Sequence, residues 1–373
     1  MAGNSVVFSH QQVVQVGPST ASISGAPVAT HLIPVTSFSA EEVVTPIPDN
    51  GRRGPHALNF RQPAGVKLVN ITIEGVVQAD PGTTLGYGIG VFLRNFFGAP
   101  DVATSVQAQG AGLWNHDFQL KAGDGNPVIE YLTIETDNQH SVEASNRSFV
   151  GCRVQELVFS WNAGEGVLSY TATLTGASVV SKAPANLAAQ AATIEDAFAG
   201  WEVLNAYDDD INYATGPFQK LISAEWTLSR AVSVLYTATN TQTPNQIMLG
   251  PIACTVALVM DFDNTAEIQN FRTGKEVKIL HVFKRGLESS ALTNSASRRF
   301  IIGSSNFSII DQPVTVDISG EHATIAIGAR ALYNVDASMI SPDASVGVND
   351  GSMSASAGPI QIRLMDAKTA TYA

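Results

Sequence analysis

Strict alternation of apolar and polar residues, in many short runs, constrains this chain more than any other feature. Ile222, Ala224, Trp226 and Leu228 alternate with Ser223, Glu225, Thr227 and Ser229. A period of two sets these groups on opposite faces of a half-buried strand. Val69, Ile71 and Ile73 alternate in the same way with Asn70, Thr72 and Glu74, and Leu168, Tyr170, Ala172 and Leu174 with Ser169, Thr171 and Thr173. Leu157, Phe159 and Trp161 alternate with Glu156, Val158 and Ser160, with Val158 off the pattern. Further runs are Val256-Leu258-Met260-Phe262 and Val314-Val316-Ile318. Short strands parted by Gly, Asn and Asp turns specify an all-β sandwich or barrel.

Helical periodicity is scarce. Residues 85–97 place Leu85, Ile89, Phe92, Leu93 and Phe96 on one face, with Thr84 as a cap and Gly98-Ala99-Pro100 as a stop. Gly86, Gly88 and Gly90 weaken that helix by about 1 kcal/mol each relative to Ala. A shorter helix is predicted over 265–273, with Asn264 as N-cap, Glu267 three residues on, and Gly274 ending it. A third candidate spans 194–206.

These elements recur in order. Gly65 opens a long strand (66–78), then come the helix at 85–97 and strands near 114–120, 129–137, 154–161 and 167–176. Gly250 opens a second long strand (252–262), then the helix at 265–273 and strands near 277–283, 298–303, 313–318 and 323–332. Residues 28–45 and 218–240 supply the matching first strands. The expected organisation is an N-terminal arm (1–27), a first repeat (28–180), a connector (181–217) and a second repeat (218–373). A turn-rich excursion at 46–64 carries the basic pair Arg52 and Arg53. Residues 337–359, rich in Ser, Ala, Gly and Asp, form a long loop before a last strand at 360–365.

Composition narrows the function. The 373 residues carry a net charge of −12, and only 14% are charged, against about 25% in a typical chain. An acidic balance opposes a free nucleic-acid-binding surface, which needs Lys and Arg for phosphates. A lightly charged surface of Ser, Thr, Asn, Gln and Gly suits burial against copies of the same chain. Residues 1–17 lack the pattern of a secretory signal. The longest apolar run, 251–260, is half the length of a membrane span, so no membrane partner is expected. Cys152 and Cys254 lie in apolar runs and read as two buried thiols, with one disulfide left open.

Catalytic patterns are weak. The seven histidines, His10, His31, His56, His116, His140, His281 and His322, show no metal-binding spacing. Gly86-x-Gly88 lacks a third glycine, because Val91 stands there. Asp208-x-Asp210-x-Asn212 copies the start of a calcium loop, but Tyr213 occupies the glycine position and Gln219 the distal acid. Asn70, Asn146 and Asn306 match glycosylation acceptors by chance. No catalytic residue, metal or cofactor is assigned.

Longer stretches carry a resemblance. Gly112-Leu-Trp-Asn-His-Asp-Phe-Gln-Leu, Ile129-Glu-Tyr-Leu-Thr-Ile-Glu-Thr and Phe149-Val-Gly-Cys-Arg-Val-Gln-Glu-Leu-Val-Phe-Ser-Trp resemble the major tail tube proteins of long-tailed, siphovirus-like bacteriophages. So do Leu221-Ile-Ser-Ala-Glu-Trp-Thr-Leu-Ser-Arg, Gly250 to Phe262, Gln269-Asn-Phe-Arg-Thr-Gly, and Pro34-Val-Thr-Ser-Phe-Ser through Asn59-Phe-Arg. The resemblance covers most of residues 30–335 and rests on order and spacing. It implies a duplicated tail-tube-like β-sandwich or barrel. It also implies a structural virion protein, not an enzyme, whose rings stack into a hollow tube that delivers phage DNA. Two copies of the fold per chain imply a homotrimer with a pseudo-hexameric ring. Implied partners are the tape measure protein, tail terminator and tail tip proteins, and double-stranded DNA that passes without tight binding. The implied location is the virion tail, assembled in the host bacterial cytoplasm. Two alternatives remain: a ring of a related contractile tail or secretion machine, and a carbohydrate-binding or carbohydrate-hydrolysing β-sandwich. On the tube reading, Glu74, Glu135 and Glu225 are candidate lumen-lining residues on Thr- and Glu-rich strand faces. Arg52 and Arg53 are candidate ring-stacking residues.

Overall fold

The alternating runs fold as antiparallel strands at the expected places. The computed structural model describes residues 13–19, 23, 29, 31–47, 64–79, 88–97, 102–105, 114–119, 130–137, 147–164, 166–181, 197–207, 220–238, 241–263, 265–277, 279–284, 298–304, 308–310, 313–320, 322–332 and 360–366. The chain begins with β1 (Val13–Ser19), β2 (His31–Ile33), β3 (Val35–Pro46) and β4 (Ala64–Val76), then α1 (Ile89–Phe97). There follow β5 (Val102–Ser105), β6 (Trp114–Gln119), β7 (Tyr131–Asp137), β8 (Arg147–Asn162), β9 (Ser169–Gly176), β10 (Ser178–Ser181) and β11 (Val203–Tyr207). The second half has β12 (Leu221–Leu235), β13 (Gln246–Asp261), α2 (Ala266–Thr273), β14 (Glu276–Val277), β15 (Ile279–Lys284) and β16 (Arg299–Ser304). It ends with β17 (Ser308–Ile310), β18 (Thr315–Asp317), β19 (Thr324–Ala331) and β20 (Ile360–Asp366).

Two sheets form from these strands. The large sheet runs β3-β4-β9-β8-β12-β13-β19, and the far edge of β19 takes both β17 and β18. The first half of β8 turns away to pair with β7 and β10, and β7 leads on to β1 and β2. The small sheet has the order β11-β15-β16-β20-β6-β5, so it takes strands from both halves of the chain. Apolar faces of the two sheets meet. Phe159 of β8 lies 5.3 Å from Phe300 of β16, and Trp161 lies 4.9 Å from Phe283 of β15. Trp226, Phe159, Phe283 and Phe300 are fully buried, and each such side chain stabilises the fold by about 1.5–3 kcal/mol. The architecture is the all-β sandwich that the alternation specifies.

α1 closes the core on the first-half side. Its Phe92 and Phe96 are fully buried, and Phe92 sits 6.2 Å from Tyr170 of β9. Asn95 ties the helix down: its Nδ2 donates to Glu130 O at 2.6 Å, and its Oδ1 accepts from Val154 N at 2.9 Å. Gly88 precedes the helix where a Cβ would meet Ile33 and Val16 side-chain atoms at 2.5 and 2.8 Å. Its lack of a side chain is therefore a packing requirement and does not mark a dinucleotide loop. α2 ends as expected at Gly274, which takes a left-handed φ of 62°.

The two long hairpins share an unusual detail. In β3·β4 the register breaks between Val35↔Gly75 and Ser37↔Glu74, and again between Val44↔Lys67 and Pro46↔Ala64. In β12·β13 it breaks between Leu221↔Met260 and Ser223↔Val259, and again between Arg230↔Ile252 and Val232↔Leu249. The same seven-residue spacing separates the two breaks on all four strands. Each hairpin is followed by a helix and then by strands that pair back onto its second strand.

Three local expectations are corrected. The helix predicted over 194–206 does not form. Ala197 and Ala199 make isolated bridges to Gln78 and Val167, and β11 begins at Val203. Tertiary pairing overrides its helical spacing, and Phe198 drops into the core beside Phe283 and Phe300. The arm at 1–27 contains a strand, β1, whose Val14 and Val16 are fully buried; averaging over a polar segment hides that short run. The N-cap of α2 is Thr265, not Asn264, and it makes no side-chain capping bond.

Candidate functional site

The large sheet has one apolar face, packed as above, and one open face. Neighbouring strands set residues of the open face side by side. One row runs Ser37, Glu74, Thr171, Val158, Thr227, Thr255 and Arg330. A second runs Ser39, Thr72, Thr173, Glu156, Ser229 and Ala253. A third runs Ser169, Ser160, Glu225, Ala257 and Gly328. The Ser160 and Ser169 hydroxyls bond across the strands at 2.9 Å. The face thus presents short hydroxyl and methyl groups with no aromatic ring among them.

Charge on this face is unbalanced. Its charged strand residues include Glu41, Glu74, Glu156, Glu225, Asp261, Glu276, Asp317 and Arg330, with the buried Arg153 level with Glu41 through Asn70 and Thr175. Glu74, Glu225 and Arg330 are exposed. Like charges spread over one surface set a negative potential that excludes anions.

Of the three predicted acids, the structure brings Glu74 and Glu225 onto this same face, in adjacent rows. Glu135 stands elsewhere. It lies on β7, every residue of which is buried, and it is itself fully buried opposite Gln15 of β1. The polar face expected for Thr133 and Glu135 is therefore covered. Alternation reports two faces of a strand but not whether a second layer covers the polar one. Tyr131, on that side of β7, packs with Ala177 and Ile247, and its hydroxyl accepts from Ile247 N at 3.3 Å. Arg52 and Arg53 fall outside the described residues, as do 48–63 generally, Asp208-x-Asp210-x-Asn212 and the loop at 337–359. Glu156 and Arg330 were missed by sequence reasoning. The alternation of β8 already set Glu156 on the side of Ser160, but only strand order brings it onto the same face as Glu74, in the neighbouring row.

Chemistry is muted elsewhere. Cys152 and Cys254 are free and buried, and burial pushes both thiols well above the usual range. His281 is wedged between Trp161 and Trp226, at 4.7 and 5.8 Å. Burial lowers its pKa to about 3, and its Nδ1 faces Asn205 Oδ1 at 2.7 Å. The imidazole is therefore neutral, with the proton on Nδ1. Among the described residues there is no group of three or more His, Cys, Asp or Glu suited to a metal. No described helix is long and apolar enough to cross a membrane.

A search of curated proteins finds no match to the chain. The family model described as phage tail tube protein matches residues 42–357, from within β3 to just short of β20. Because that match takes in all of the second hairpin, most of the first, both helices and most strands of both sheets, the chain belongs to the phage tail tube protein family, a structural family of the virion tail.

Proposed function

We propose that this chain assembles into rings of three, and that the rings stack into the hollow tube of a siphovirus-like tail through which double-stranded DNA is ejected. The observation that carries the reading is the open face of the large sheet. It is continuous over both halves of the chain, lined with small hydroxyl residues, and acidic at Glu74, Glu156 and Glu225. As a channel wall it repels phosphate and offers no cationic grip, so sliding barriers stay low. A basic wall would exchange counterions and hold the duplex. The shared register breaks of the two hairpins support a duplicated unit, and three duplicated chains give a ring with pseudo-six-fold symmetry. Arg52 and Arg53 reach the adjacent ring. The tape measure protein fills the channel before ejection, terminator and tip proteins cover the tube ends, and assembly takes place in the host cytoplasm.

Negative-stain imaging of the purified protein tests the reading, with native mass spectrometry to count chains. Rings or tubes of three chains per layer are expected. Six chains per layer would overturn the duplication, and a protein that stays monomeric at all concentrations would overturn the tube.

A further inference from the structure

Three consecutive residues of α1 gather a charged cluster. Arg94 grips the Glu130 carboxylate through Nε and Nη2 at 2.8 and 2.7 Å. Asn95 donates to Glu130 O and accepts from Val154 N, which brings their chain neighbours Tyr131 and Arg153 to the end of the helix. Phe96 O accepts from Arg230 Nη1 at 2.6 Å. The last turn of α1 therefore draws three strands to one place: Glu130 leads into β7, Arg153 lies on β8 and Arg230 on β12.

Charge does not balance in this cluster. Arg94 already occupies both carboxylate oxygens of Glu130, and among the described residues no carboxylate forms an ion pair with Arg153 or Arg230. Arg230 spends Nε and Nη1 on the carbonyls of Gly250 and Phe96, which carry only partial charge. The Arg153 guanidinium lies 4.5 Å from the centre of the Tyr131 ring. An aromatic face attracts a cation but supplies no net charge. Arg153 is 3% exposed, and its Nε is buried with no hydrogen-bond partner. Burial pulls its pKa down to about 10; Tyr131 and Glu130 counter this, and the like charge of Arg230 adds to it. The group stays charged at neutral pH. Three guanidinium groups thus share one carboxylate, in a chain whose net charge is −12. Buried charges are normally paired, and the Nε edge of a guanidinium is a planar fork shaped for an oxyanion. Arg94 uses that edge on Glu130; Arg153 presents the same edge with nothing on it.

We propose that this cluster is a binding site for a small doubly charged oxyanion of the phosphate type, held on the Nε edge of Arg153 with Arg230 alongside. The two surplus positive charges match a dianion. The ion does for Arg153 what the Glu130 carboxylate does for Arg94. Entry is from the side of Glu130 and Arg230, both partly exposed, while Arg153 and Tyr131 lie inside. The site takes residues from both halves of one chain, so the ion strengthens their union and needs no assembled ring.

Inorganic phosphate is the probe. The purified protein, dialysed free of phosphate, should melt at a higher temperature as phosphate is added at constant ionic strength against sodium chloride, and the gain should saturate. Equilibrium dialysis should count one phosphate per chain. Arg153→Met should weaken phosphate binding by roughly ten- to a hundredfold, the worth of a charged hydrogen bond. Arg153→Lys keeps the charge but not the fork and should fall between Arg153→Met and the parent, so the comparison survives if the Met variant does not fold. The gain is read within each variant, so a general loss of stability does not imitate the result. No saturable gain in the parent, an equal gain from chloride, or one phosphate affinity shared by the parent and the variants would overturn the site.

Discussion

Replacing Asn95 with Leu should destabilise the fold by about 2–4 kcal/mol, and the reason can be traced atom by atom. Asn95 is 3% exposed. It gives its amide N–H to Glu130 O and takes the N–H of Val154, which stands beside the register break between β8 and β9. Leucine of similar volume leaves both backbone groups buried without that partner, at about 1–3 kcal/mol each, offset in part by added apolar burial. The loss is measured by urea denaturation of the monomer. Amide exchange gives a sharper readout. Val154 should exchange faster than its strand neighbours in the Asn95→Leu variant. In Phe92→Leu, which weakens the same helix contact through packing alone, it should not. A stability loss under about 1 kcal/mol, or unchanged protection of Val154, would refute the reasoning.

Other expectations follow from the same geometry. His281 is neutral in the fold and has a pKa of about 3 there, against 6.5 when exposed. The unfolded chain therefore binds a proton that the folded one does not, and stability falls as pH drops from 6.5 towards 3. The slope is at most about 1.4 kcal/mol per pH unit; denaturation of His281→Leu across this range should lose that part of the slope, and parallel curves for variant and parent would count against it. Tubes of the Glu74→Lys, Glu225→Lys variant should bind double-stranded DNA at low salt and release it as salt rises, seen by co-sedimentation, whereas parent tubes should not bind at either; equal behaviour would remove these acids from the channel wall. The Arg52→Glu, Arg53→Glu variant should fold normally and polymerise more slowly by light scattering. On the proposed stacking role, each lost ion pair would be worth only about 0–1 kcal/mol but would recur around every ring, and unchanged kinetics would exclude that role.

Strand positions were legible because alternation records burial directly: Ile71, Ile73, Trp226 and Leu228 point inward as their spacing requires. Pairing partners were not legible. Nothing local to Glu135 distinguishes it from Glu74, yet one lies fully buried on β7 and the other stands exposed. The difference is made by a second layer supplied from distant sequence, including Ile247 packed against Tyr131. The failed helix at 194–206 has the same origin, since Phe198 satisfies a cavity between Phe283 and Phe300 that no window around residue 198 encodes. Helix ends were legible where chemistry is local, as at Gly274, and were missed where the cap makes no side-chain bond.

The position of β20 sets the timetable of synthesis. This last strand lies in the middle of the small sheet, between β16 and β6. Arg363 grips Asp117 through two bonds of 2.5 and 2.9 Å, and buried His116 meets buried Asp366 at 3.3 Å. Its partner strand β6 leaves the ribosome well over two hundred residues earlier, and contacts this distant in sequence form slowly. Until residues 360–366 emerge, the small sheet is split in two and the apolar face it shares with Phe159 and Trp161 is incompletely covered. A chain cut short of β20 therefore exposes sticky surface and belongs to the pool that chaperones and proteases clear. On the proposed tube reading, translation to β20 becomes the licence for a subunit to enter a polymer in which one defective member would spoil every ring stacked upon it.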